Sequence, residues 1–208
     1  ETDLSVWEIP QALSDVTDGF LTDLYAREIQ IDSGVALVAL GGYGRSELSP
    51  SSDLDLMLVH NDRDDIDSLA DRIWYPLWGE GFKLGHSVRS VDQTLRLAAT
   101  DLETAPSLLN ARLVTGDFSL VQELLARNEM QWADQTSDRL DELARNVARR
   151  HRLAGEVAFL LEPDLKEGRG GLRDVHAIDW AARAGVQVTV HDRELLDAAY
   201  RVLLEARV

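Results

Sequence analysis

Two aspartates, Asp53 and Asp55, alternate with Leu54 and Leu56 a short distance after a Gly41-Gly42 pair, within the stretch LGGYGRSELSPSSDLDLML at 40–58. Residues two apart on an extended chain project to the same side, so the two carboxylates can hold a divalent cation between them. Without a cation the pair is costly: like charges at one strand end repel, and one carboxyl would tend to keep a proton. The pair therefore argues for Mg²⁺. Glycines at 41 and 42 remove side chains where backbone N–H groups must come close to an anion, and a helix starting just after them adds its positive end. Ser46 and Ser52 can add hydroxyl donors. The chemistry that joins these parts is phosphoryl transfer on a triphosphate. Hard cations bridging the triphosphate align an attacking hydroxyl, neutralise the α-phosphate and stabilise departing pyrophosphate.

The elements that must position these residues are legible as periodicities. Val35–Leu40 is an unbroken apolar run between Gly34 and Gly41, which suits a strand buried on both faces, and Leu54–Val59 is a second strand. Asp64–Trp78 carries Ile66, Leu69, Ile73 and Leu77 on one side of a helix closed by Gly79 and Gly81, and Phe82–Val88 gives a third strand. Asp92 is expected to cap a helix that runs through Ala99. A lead-in helix over residues 4–31 sets Leu13, Val16, Phe20, Leu24 and Ile31 on its apolar face, after Pro10. Trp74, Trp78, Trp132 and Trp180 are expected in cores. Beyond residue 100 the strand signal fades, and helical spacing recurs at Leu120, Leu124 and Leu125, at Leu140, Leu143 and Val147, and from Leu195 to Leu204, with Asp192 as the cap of that last helix. The segment Glu162–Leu172 reads as a fixed glycine-bearing loop. The expected organisation is a lead-in helix (1–33), a small α/β core (34–100) and a helical part (101–208).

Composition narrows the partners. The 37 acidic and 21 basic residues give a net charge of −16, a field that repels phosphate backbones and argues against wholesale binding to nucleic acid. With no cysteine, there can be no disulfide, thiolate metal site or cysteine nucleophile. No apolar run reaches the ~18 residues of a membrane span, so a soluble cytoplasmic protein is expected. His191-Asp192 invites a metal phosphohydrolase reading, but further spaced His and Asp ligands are missing.

The spacing of Leu40-Gly41-Gly42 and Asp53-Leu54-Asp55 resembles the motif of the DNA polymerase β-like nucleotidyltransferases. Three blocks in order, GGYGRSELSPSSDLDL, LWGEGFKLGHSVRS and DLKEGRGGLRDVHAIDWAAR, are similar to the nucleotidyltransferase region of bacterial PII uridylyltransferase/uridylyl-removing enzymes. The resemblance covers most of residues 35–208. It implies an α/β (α+β) nucleotidyltransferase fold, a small mixed sheet flanked by helices and followed by an all-helical substrate-side domain. The implied activity moves UMP or AMP from UTP or ATP to a tyrosine of the PII nitrogen-signalling protein. Asp53 and Asp55 would bind Mg²⁺, Gly41 and Gly42 would cradle the β- and γ-phosphates, and Arg45, Ser46 and Ser52 would line the triphosphate path. Lys166 and Arg173, on the later loop, are candidates for the triphosphate or for a partner's acidic face. The family's metal-dependent phosphohydrolase and glutamine-sensing ACT parts are expected to lie outside this chain. The superfamily's third carboxylate has no counterpart on Phe82–Val88, which offers Lys83, His86 and Ser87. Either Asp92, the nearest acid, reaches the site, or the acid lies elsewhere, or two carboxylates suffice. Two rival readings are an inactive nucleotide- or partner-binding module and transfer to another protein, such as glutamine synthetase.

Overall fold

The structure, a computed structural model, describes residues 5–30, 33–50, 52–134 and 136–207. It divides into two compact units, residues 1–128 and 129–208, the dividing point lying inside one helix. The first unit thus runs well past residue 100, where the sequence pattern had placed a boundary.

The first unit is built on a four-stranded mixed sheet in the order β3-β2-β1-β4. Helix α1 (Ile9–Glu28) leads into β1 (Val35–Ala39), whose five residues are all buried, as their continuous apolar run requires. One helical turn, α2 (Gly41–Gly44), separates β1 from β2 (Leu54–His60), and the two strands pair antiparallel. Helix α3 (Ile66–Gly79) then carries the chain over to β3 (Leu84–Ser90), which pairs parallel with β2. Leu37, Leu56 and Leu58 pack with Leu21, Leu24 and Tyr25 of α1 and with Leu69, Ile73, Trp74 and Leu77 of α3 to form the main core. Alternation turns Asp55, Met57 and Val59 to the opposite face, where Thr94 of α4 (Val91–Thr100), its hydroxyl donated to the Ser90 carbonyl at 2.8 Å, packs 3.8 Å from Met57 Sδ. Helices α5 (Thr104–Leu109) and α6 (Phe118–Asp134) follow.

Several expectations change. Beyond residue 100 there is a strand, β4 (Arg112–Gly116), antiparallel to β1 with a register shift at Leu37/Val38. As a half-buried edge strand of five residues it needs little apolar sequence, so its signal is weak. The third strand starts at Leu84, not Phe82; Phe82 sits in the preceding turn and stacks on Phe20, with ring centroids 5.7 Å apart. Ser90, rather than Asp92, caps α4: its hydroxyl takes the Gln93 N–H and Gln93 Oε1 returns to the Ser90 N–H, a reciprocal capping box. On α1, Val16 is exposed, and the buried stripe runs through Ser14, Leu21, Leu24 and Tyr25; Ile31 lies outside the described residues. Trp78 is 42% exposed, whereas Trp74 and Trp132 are buried.

The second unit contains α7 (Thr136–Ala154), α8 (Leu172–Arg183) and α9 (Val190–Glu205). Thr189, not Asp192, caps α9, accepting the Asp192 N–H at 3.1 Å. The loop before α8 is fixed, as its glycines suggested: Gly168, Leu172 and Arg173 donate their N–H groups back to Asp164, Leu165 and Lys166. No helix among the described residues is long and apolar enough to cross a membrane.

Candidate active site

Asp55 is the second residue of β2, and its place is set by two glycines. A Cβ at Gly41 would stand 2.7 Å from Asp55 Oδ2, and one at Gly85, its register partner on β3, 2.3 Å from Oδ1. Both are closer than atoms can pack, so the carboxylate occupies room that exists only because residues 41 and 85 lack side chains. Gly41 also has φ +57, in the left-handed region that glycine adopts without penalty. The Leu40 N–H donates to the Asp55 carbonyl at 2.9 Å, tying the start of α2 to the mouth of β2. Asp53 immediately precedes β2, at the position that shares the Asp55 side of an extended chain, and is exposed.

The turn beside these carboxylates is held from behind. Tyr43 is buried and donates its hydroxyl to Asp18 of α1, while Arg112 of β4 grips Asp18 with two guanidinium nitrogens and lies over the Tyr43 ring at 5.3 Å. Burial, then the Asp18 carboxylate, push the Tyr43 hydroxyl far above the ordinary tyrosine range, so it stays a donor. Gly42 differs from Gly41: a Cβ there would meet only ordinary contacts, Glu47 O at 3.7 Å and Arg45 Nη2 at 3.8 Å. Packing within the protein does not require glycine at 42.

Of the residues singled out from sequence, the structure brings together Gly41, Asp55 and the neighbouring Asp53, and sets Arg45 beside Gly42. The Arg45 Nε donates to Glu47 at 2.7 Å, so this cation is positioned by a carboxylate of its own. Ser46 has φ +60, an uncommon conformation for a residue with a side chain, and follows the last turn of α2. Ser52 is committed to a turn: its hydroxyl accepts the Ser49 N–H at 2.7 Å and donates to the Ser49 carbonyl at 2.8 Å. Asp92 pairs with Arg127 at 2.8 Å, and among the described residues no group of three or more His, Asp or Glu side chains is arranged to hold a metal ion. Asp53 and Asp55 are the carboxylates here that could hold a divalent cation, and their hard oxygens would suit Mg²⁺.

Residues 138–208 match the family described as GlnD PII-uridylyltransferase. Across 199 residues, 95% of its length, the chain is 46% identical to a bifunctional uridylyltransferase/uridylyl-removing enzyme of Streptomyces coelicolor. It is 42% identical over 207 residues to the enzyme of that name from Mycobacterium tuberculosis, and 36% identical over 188 residues, 85% of the chain, to that of Phenylobacterium zucineum. The chain belongs to the PII-uridylyltransferase family. It spans 24%, 26% and 20% of the lengths of these three relatives.

Within this family member, Lys166 and Arg173 belong to the second unit. Lys166 is exposed on the loop, and Arg173, half-buried, pairs with Glu167 at 3.5 Å. Sequence reasoning missed Gly85 and Glu47. Gly85 had a signal, since a glycine inside a strand pattern marks a close approach; here the approaching group is Asp55. Glu47 had none, because an acid two residues from an arginine is unremarkable on a loop.

Proposed function

We propose that this chain is an Mg²⁺-dependent nucleotidyltransferase that moves UMP or AMP from a nucleoside triphosphate to a tyrosine of the cytoplasmic PII nitrogen-regulatory protein, releasing pyrophosphate. The observation that carries this reading is the seat of Asp55, a carboxylate fitted between Gly41 and Gly85 at the mouth of β2, with Asp53 two residues before it and the glycine turn alongside. In it Asp53 and Asp55 hold the cation. When bound, Mg²⁺ supplies neutralising charge at the α-phosphate and the leaving pyrophosphate. The first-turn N–H groups at 41–43 have no acceptor within the helix and are offered to the triphosphate, and Gly42 keeps that approach free of a side chain. Arg45, held by Glu47, adds positive charge next to Gly42. Ser46 and Ser52 shape the loop between turn and strand. The acceptor hydroxyl loses its proton to solvent and its oxygen forms the bond to the α-phosphorus as the bond to the bridging oxygen of pyrophosphate breaks. The family name on the relatives supports this assignment.

The test is pyrophosphate release with PII as acceptor, run with UTP, ATP, CTP and GTP in turn. Release with one nucleotide, and its loss in Asp53→Asn and Asp55→Asn, bears the proposal out; nucleotide binding without release from the unaltered protein overturns it. That second outcome would support a nucleotide-binding module without catalysis, a reading favoured by the missing third carboxylate among the described residues. Release with glutamine synthetase in place of PII would change the acceptor and keep the chemistry.

A further inference from the structure

We propose that the acceptor polypeptide binds by adding a strand to the free edge of β3, an inference that rests on the transfer reading above. β3 is the outermost strand, paired on one side with β2 alone. The Leu54 N–H donates to the Lys83 carbonyl at 2.8 Å, which fixes the parity of the ladder. In a parallel pair, backbone groups of alternate residues turn to the same side, so those of Gly85, Ser87 and Arg89 face β2. The N–H and C=O groups of Leu84, His86 and Val88 therefore face outward, and among the described residues none of them enters a backbone hydrogen bond beyond the sheet. The first five residues of the strand carry no proline, no lysine and no bulge, the usual devices that keep an edge from pairing.

What the edge adjoins says what it receives. Gly85 lies between the outer edge and Asp55, so that face of β3 is bare where a side chain would otherwise block the way. The Asp55 carboxylate leans over Gly85, so a strand added beyond β3 lies about one strand spacing, roughly 5 Å, from it, and a hydroxyl side chain on that face is carried over Gly85 to the site. The opposite face offers an aromatic shelf: Tyr75 and Trp78 are 64% and 42% exposed, their rings 5.6 Å apart, and exposed His86 meets the Trp78 ring at 5.2 Å. The occupant is an extended acceptor segment whose tyrosine, the acceptor of the transfer reading, lies on the Asp55 face and whose neighbours in sequence, pointing the other way, are apolar.

Amide hydrogen exchange on the unaltered chain, with PII protein and the magnesium nucleotide, tests this directly. Slowed exchange at His86 and Val88, with Leu58 unchanged, supports strand addition. Transfer to PII with those amides unprotected overturns strand addition and leaves the transfer reading intact, whereas protection without transfer overturns the transfer reading and keeps the docking. A second test uses His86→Pro, which removes an outward N–H but no bond to β2, beside His86→Ala, which keeps it. His86→Pro is expected to raise the KM for PII about tenfold while the nucleotide KM stays put, and His86→Ala, which trims the aromatic shelf but keeps the N–H, to raise it by clearly less. Equal PII KM values for the two variants would overturn the proposal, and should the proline variant fail to fold, the exchange result decides.

Discussion

The two units fix an aspartate by different means. In the second, Asp174 at the start of α8 is used up internally: its carboxylate meets Arg150, takes the Gly170 N–H at 2.8 Å and meets His151 Nε2 at 2.8 Å. In the first, Asp55 is placed by steric room between Gly41 and Gly85, and Asp53 is exposed beside it. Charge follows the same division. Residues 1–128 hold 22 acidic and 9 basic side chains, against 15 and 12 in residues 129–208. The contrast separates a carboxylate held by the N–H and cationic groups around a loop from one whose place is made by two missing side chains, although residue type and local charge look alike in sequence.

The sharpest way to break that contrast is to neutralise each kind. Asp55→Asn and Asp53→Asn are expected to lower nucleotidyl transfer by about 10²–10³-fold, the scale of losing a group that stabilises developing charge, with the melting temperature nearly unchanged. Asp174→Asn should do the reverse: it leaves Arg150, whose side chain is 11% exposed, short of its partner and costs about 1–3 kcal/mol in urea unfolding.

Next comes the seat itself. Gly85→Ala drives a methyl against Asp55 Oδ1, the end of a side chain that can turn away, so it is expected to cost under about 1 kcal/mol of stability but most of the activity, while Gly42→Ala leaves stability within about 0.5 kcal/mol and weakens nucleotide binding. Equal effects of the two on transfer at saturating nucleotide would show that the seat is not what distinguishes them.

Acid separates the units more gently. Burial alone would raise the Asp174 carboxyl, but the Gly170 N–H, His151 and Arg150 together hold it below the ordinary aspartate range. A depressed carboxyl contributes stability that is present above its unfolded pKa and lost as pH falls through the folded one, so protection of the Gly170 amide should hold at neutral pH and decay below about pH 4. The smallest effect is expected at Ser46, where glycine relieves a φ of +60 and should raise stability by up to about 1 kcal/mol.

The parts legible in sequence were those where one physical demand dominates. Val35–Ala39 and Leu54–His60 are buried on both faces over most of their length, and continuous apolar runs announce that. Ile66, Leu69, Ile73 and Leu77 are all buried, as their spacing required. The alternation of Asp53 and Asp55 with leucines announced the start of a strand there, which begins at Leu54 and carries Asp55 as its second residue. β4 was hidden because an edge strand with half-buried residues makes no strong demand on composition. The cap of α4 was misplaced although Ser90-x-x-Gln93 spells a capping box, since Asp92 competes for the same role two residues later. Gly85 went unread because its purpose, the Asp55 carboxylate, lies thirty positions away in the chain and is adjacent only once β2 and β3 pair.

The clasp of Asp18, Tyr43 and Arg112 has a consequence for how the protein is made. Its two ends are 94 residues apart, and loops of that length close late. On the ribosome the glycine turn therefore stays unbraced until β4 has emerged, so a chain interrupted before Arg112 should display Asp53 and Asp55 without a firm corner to work against.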